Sequence, residues 1–148
     1  MNKRKISVIS ILAIVVIAFT LNGYTKEKEP WSEKQLLKPA DLVKSFNDPD
    51  SKKPILLSIG FDGGIAGSIV VGAARDKEGI ENLKKELAKL PKDADIVIYC
   101  GCCPYDKCPN VRPAFNLINE MKFTNHKLLD LPHNLKTDWI NKGYPMSK

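Results

Sequence analysis

No cysteine occurs before position 100 in this chain of 148 residues. That absence excludes a lipoprotein-type signal, which needs a cysteine at its cleavage point, and it excludes a disulfide framework spread along the chain. Histidine is scarce. His126 is expected on the surface just before a strand and His133 in the loop after Pro132, and neither is placed as an acid or base. The sequence has no G-x-G-x-x-G and no Gly-Lys-Ser/Thr, so the glycine-rich stretch FDGGIAG at 61–67 is not a phosphate loop. The next residues, Ser68-Ile-Val-Val71, read as strand, where a phosphate loop would open a helix. No stripe of lysine and arginine interleaved with aromatics is present, which argues against a nucleic-acid partner. Internal repeats and low-complexity tracts are also missing.

The first 25 residues account for half of the net charge of +6, because they hold three basic residues and no acidic one. Lys3, Arg4 and Lys5 precede sixteen residues without a charge, 6–21. A charged start followed by an apolar run is the pattern of a secretory signal, although no A-x-A cleavage pattern appears. The run is a little shorter than the ~20 residues of a spanning helix. Residues 1–25 are therefore expected to be a signal peptide or an N-terminal membrane anchor. The chain is expected to be exported, to the periplasm or another extracytoplasmic space, with a tether to the membrane where the segment is retained. Residues 26–32, with KEKEP, form a polar tether, and 33–148 hold about one small domain.

Within that domain, apolar runs and helical patterns alternate. A short strand is expected within 33–37, a helix over 39–46 with Pro39 in its first turn, and a strand at 54–59. The clearest helix spans 78–90, where Ile80, Leu83, Leu87 and Leu90 recur at three- and four-residue spacing, with Glu81 and Lys85 as a candidate ion pair. Ile96-Val-Ile-Tyr99 reads as a strand buried on both faces, 111–121 as a helix capped by Asn110, and 127–131 as a last strand. A final short helix starting at Asn134 or Thr137 is expected to bury Trp139 and Ile140 before Gly143. Such alternation predicts an α/β domain: a central parallel sheet with helices on both faces.

All four cysteines lie in the loop CGCCPYDKCPN, running from Cys100 to Asn110. Bridges inside so short a loop would hold no distant parts together, so the cluster points to local chemistry. Cys100 falls between a strand's carboxyl end and a helix's amino end, where backbone N–H groups and the helix dipole favour a thiolate or a bound anion.

The strand ending in Tyr99-Cys100 and the loop closing on a helix are followed by LLDLP at 128–132 and DWINKGYP at 138–145. Together these resemble the second half of a rhodanese-like domain, and the resemblance covers residues 33–146. Rhodaneses usually carry an Asp-x-Arg after the second strand and a Gly-His-Ile-x-Gly-Ala segment. Here those places read Ser58-Ile-Gly60 and Gly67-Ser-Ile-Val-Val-Gly-Ala73, and the active loop is longer, with three extra cysteines. The resemblance implies a rhodanese-like single domain in which residues 61–67 close over the active cysteine.

Three chemistries are open to the loop. In the first, Cys100 is a sulfur-transfer nucleophile that takes sulfane sulfur from a small anionic donor as a persulfide and yields it to a thiol acceptor or cyanide. Gly101 and its neighbours would supply backbone N–H groups, and Lys107 and Arg112 would attract the anion, unless both are plain surface charge. In the second, Cys100 and Cys103 form a C-x-x-C redox dithiol. A hybrid has the persulfide on Cys100 resolved by Cys102, Cys103 or Cys108, while a Cys103–Cys108 disulfide would make those two purely structural. In the third, the loop thiols bind Zn²⁺ or Cu(I), although paired C-x-x-C knuckles are missing. The first is the leading expectation, and it assigns no cofactor and no resident metal.

Overall fold

The computed structural model describes residues 28–60 and 64–147. The expected signal or anchor at 1–25, the start of the tether, and residues 61–63 of the glycine-rich stretch lie outside the described residues. Among the described residues, no helix is long and apolar enough to cross a membrane.

After a single turn of 3-10 helix at Glu33–Gln35, the chain forms β1 (Leu36–Leu37), α1 (Pro39–Asn47), β2 (Ile55–Ser58), β3 (Ile69–Val70) and α2 (Lys77–Leu87). Then come β4 (Ile96–Tyr99), α3 (Val111–Glu120), β5 (His126–Leu129) and the short α4 (Leu135–Asp138). Five strands make one sheet in the order β1-β5-β4-β2-β3, and every pairing is parallel. This is the α/β domain that the alternation predicts. Helix α2 begins one residue earlier than its pattern suggests and ends before Pro91. Its ion pair joins Glu86 to Lys89 at 2.7 Å, where the sequence suggests Glu81 and Lys85.

The central strand explains the layering. All four residues of β4 are fully buried, and their side chains alternate between two cores. Ile96 and Ile98 pack with Leu57 of β2, Leu83 and Leu87 of α2, and Val111, Phe115 and Ile118 of α3. Val97 and Tyr99 pack on the other face with Leu42 of α1, Leu129 of β5, Leu135 of α4 and Trp139. Cys100, next in the alternation after Ile98, continues the first core. Parallel pairing also sends the residues that come after β2, β3, β4 and β5 to one end of the sheet, the end where open α/β sheets build their sites.

Two expectations about side chains need correction. His126 lies inside β5 with 5% of its surface exposed, packed against Phe115 at 4.7 Å and hydrogen-bonded through Nε2 to Asn119 Oδ1 at 2.9 Å. Burial pushes its basicity down. Asn134 does cap α4, its side chain accepting from Thr137 N–H at 2.8 Å, and Trp139 is fully buried with Nε1 donating to the Pro145 carbonyl at 3.0 Å. Ile140, however, turns outward and is 44% exposed. The turn it belongs to, Ile140–Lys142, ends at Gly143 in the left-handed conformation (φ 70°), which favours glycine.

Candidate active site

Cys100 leaves the sheet where β4 ends, and its residue is 3% exposed. One glycine makes room for it and a second lets α4 close over the loop. A Cβ on Gly60, just beyond β2, would stand 3.2 Å from Cys100 Sγ, and a Cβ on Gly101 would stand 3.1 Å from Leu135 Cβ. Both are tighter than ordinary side-chain contact. Gly101 is further fixed by its carbonyl, which accepts from Leu135 N–H at 3.0 Å and so ties the cysteine loop to the start of α4.

Four groups donate toward the Cys100 sulfur: the Cys108 thiol, the Asn110 amide from 3.4 Å, and the backbone N–H and thiol of Cys102, the thiol from 3.5 Å. Hydrogen bonds to the charged form favour it. The Cys108 bond is the largest influence, burial opposes it, and Asn110 and Cys102 add to it, so Cys100 ionises at about 5. The same contacts act in reverse on the donors. Cys108 is pushed far up by its bond to Cys100 and by burial, and Cys102 is pushed up to about 12 by burial and by its neighbours Cys103 and Cys100. One thiolate is thus held among protonated thiols at neutral pH.

The four cysteines are free thiols, with Cys100 and Cys108 buried, Cys102 exposed and Cys103 between. Cys102 Sγ lies 3.5 Å from Cys100 Sγ and 3.0 Å from Cys103 Sγ. The partner in contact with Cys100 on the exposed side is therefore Cys102, two residues away, whereas a C-x-x-C reading pairs it with Cys103. The sulfurs of Cys100, Cys102 and Cys108 all lie within 4.8 Å of one another.

Above Cys100 opens a cavity of about 360 Å³. Its walls come from the ends of β2 and β4 (Gly60, Cys100, Gly101, Cys102), the approach to α3 (Pro109, Asn110), the segment after β3 (Arg75) and the C-terminal turns (Leu135, Lys136, Ile140). The cations that face it are Arg75 and Lys136. Arg112 is turned elsewhere, donating to Glu29 Oε1 at 2.6 Å and the Asp106 carbonyl at 2.8 Å while lying over the Trp31 ring. Lys107 sits exposed in the turn Tyr105–Lys107, outside the cavity wall. The histidines are not in the wall either: His126 is in the core, and His133 pairs with Asp138 at 3.0 Å.

Asn110 has a different role from the one its position suggests. At the start of α3 its side chain makes no capping bond. Its Oδ1 accepts from Arg75 N–H at 3.0 Å while its amide donates to Cys100, so one buried side chain links the segment after β3 to the sulfur. Its signal in the sequence is only that a residue able both to donate and to accept stands at the end of the cysteine loop.

No protein-family model matches the sequence, and no curated protein matches it. Among solved structures the fold is similar to that of EanB. Wild-type EanB aligns at 17% identity with a TM-score of 0.54, over 83% of this chain and 29% of that one. A threonine-to-valine variant in complex with hercynine gives 16% and 0.55 over 82% and 29%. A cysteine-to-serine variant with hercynine gives 17% and 0.52 over 77% and 27%. This chain thus spans under a third of EanB, and at such identity the likeness is one of fold.

Proposed function

We propose that the chain is a rhodanese-like sulfurtransferase or persulfide carrier, exported as its first residues suggest, with Cys100 as nucleophile. The observation that carries this reading is the Cys100 sulfur, set at the carboxyl end of the central strand beneath a cavity, with the Asn110 amide donating to it from 3.4 Å and Cys102 Sγ at 3.5 Å. The Cys100 thiolate attacks the sulfane sulfur of a small anion such as thiosulfate. The donor's S–S bond breaks, sulfite leaves, and Cys100 carries a persulfide whose outer sulfur enters the cavity. A thiol acceptor, or cyanide in the assay, then attacks that outer sulfur and restores the thiolate. Arg75 and Lys136 attract the donor anion, and Cys102 N–H and Asn110 stabilise negative charge on sulfur.

The test is thiocyanate formation from thiosulfate and cyanide. Wild type is expected to turn over, and Cys100→Ser is expected to fall to the uncatalysed rate while staying folded. Activity that survives Cys100→Ser, or a wild type that forms no thiocyanate and releases no sulfite from thiosulfate, overturns the reading.

A second reading has one observation behind it, the three clustered sulfurs of Cys100, Cys102 and Cys108. Three thiolates at ~2.3 Å from one soft ion would be about 4 Å apart, within reach of that cluster. Cys102 and Cys108 must each lose a proton to bind, so affinity would rise with pH. Native mass spectrometry of the purified chain, with and without added Zn²⁺ or Cu(I), separates the two readings.

A further inference from the structure

A persulfide on Cys100 has two sulfurs with unequal access. The outer one projects into the cavity, where an external acceptor can meet it. The inner one, Cys100 Sγ itself, belongs to a residue that is 3% exposed and is enclosed by Gly60, Cys108 and Asn110. With the outer sulfur filling the cavity side of Cys100, an external thiol reaches the outer sulfur more readily than the inner one. Cys102 Sγ already stands 3.5 Å away.

We infer that Cys102 is a resolving thiol that attacks the inner sulfur of the Cys100 persulfide, releasing sulfide and leaving a Cys100–Cys102 disulfide. This rests on the sulfur-transfer reading and adds a second activity to it, reductive release of sulfide from a sulfane donor. The Cys102 proton passes to the outer sulfur, a bond forms between Cys102 Sγ and Cys100 Sγ, and the bond between the two persulfide sulfurs breaks, so that hydrosulfide departs. With thiosulfate as donor the sum is thiosulfate plus two thiols giving sulfite, hydrogen sulfide and one disulfide, in which the sulfane sulfur is reduced by two electrons and the two thiols are oxidised by two. A dithiol reductant must reset the protein. It would attack the exposed Cys102 sulfur, with Cys100 leaving as the thiolate, and a thiol that ionises low leaves fast. A disulfide closed over so small a loop is also strained and easily reduced.

The other loop thiols fit the role less well. Cys103 contacts Cys102 rather than Cys100, and Cys108 is fully buried, spends its thiol as a donor to Cys100, and offers no surface to a reductant.

In the experiment, the full chain is reduced, freed of reductant under anaerobic conditions and given one equivalent of thiosulfate. Sulfite, sulfide and intact mass are then read. Wild type is expected to release both sulfite and sulfide and to end two hydrogens lighter, with Cys100 and Cys102 joined in a peptide map. Cys102→Ser should still release sulfite, which reports an intact site, but end one sulfur heavier with at least tenfold less sulfide. Cys103→Ser should behave as wild type. The inference is overturned if wild type keeps a stable persulfide and yields no sulfide, or if Cys102→Ser releases sulfide as wild type does, which would make Cys108 or the solution the resolving agent. Absence of sulfite from wild type and variant alike would instead bring down the sulfur-transfer reading itself.

Discussion

The cysteine loop contains the same side chain in opposite states on its two sides. On the buried side, Cys100 is surrounded by donors and ionises at about 5 although almost none of its surface meets water. On the open side, Cys102 is exposed yet pushed up to about 12. Exposure alone would order the two the other way. Hydrogen-bond direction makes the difference: Cys100 receives bonds that favour its charged form, whereas Cys102 is raised by the burial of its sulfur against the loop and by its bonds to Cys103 and Cys100.

The sharpest way to break this comparison is to label both thiols. Because Cys100 ionises low, its alkylation by iodoacetamide should rise as pH rises through about 5 and be flat by pH 7, whereas an ordinary thiol keeps gaining up to ~8.5. The lower intrinsic nucleophilicity of a weakly basic thiolate offsets more than half of the ionisation advantage. At pH 7 the buried Cys100 should still react at least about thirtyfold faster than the exposed Cys102, as read by peptide mass spectrometry. Equal rates, or a midpoint for Cys100 near 8.5, would dissolve the contrast.

Cys108→Ala sharpens it. Removing the strongest donor should raise the Cys100 midpoint by at least about one unit, worth about 1.4 kcal/mol, and slow its labelling at pH 5 about fivefold. Cys103→Ala should leave that midpoint in place, since Cys103 contacts Cys102 and gives Cys100 no bond. A midpoint indifferent to Cys108 would mean that Asn110 and Cys102 hold the thiolate without it.

How far this site can be read from the sequence depends on which contacts are local. The run Ile96–Tyr99 and the helical spacing of Val111, Ala114, Phe115 and Ile118 are properties of adjacent residues, and the strand, the helix and the place of Cys100 between them are found where those patterns put them. The cavity's charges are not local. Arg112 is close to the loop in sequence but is drawn away by Glu29, which lies in the polar tether. Arg75 reaches the cavity because the parallel sheet brings the segment after β3 to the same end as Cys100, and a count of residues around the loop cannot show that. His126 departs from its expected surface place for a similar reason: its partners Gln35 and Asn119 become neighbours only when β1, β5 and α3 assemble.

That difference between charges near in sequence and charges near in space gives a smaller effect to measure. Arg75→Gln and Lys136→Gln should each raise KM for thiosulfate about two- to fivefold with little change in kcat, as suits solvent-exposed cations. Arg112→Gln should leave KM unchanged. A rise in KM for Arg112→Gln with none for Arg75→Gln would mean that the donor anion binds on the tether side of the loop.

The smallest expected change tests the side chain that joins the loop to the rest of the sheet. Asn110→Ala removes one neutral donor at 3.4 Å from Cys100 and leaves Arg75 N–H without its acceptor at 3.0 Å. Loss of that part-buried hydrogen bond should lower stability by about 1 kcal/mol in a urea titration, while the labelling midpoint of Cys100 rises by less than in Cys108→Ala. Asn110→Asp separates the two contacts, because a carboxylate still accepts from Arg75 N–H but sets a negative charge where the sulfur had a donor. Its midpoint should therefore lie above that of the alanine variant. If the two variants share one midpoint, the amide does not act on the sulfur, its value lies in holding Arg75 against the cavity, and Cys108 with the Cys102 N–H accounts for the thiolate.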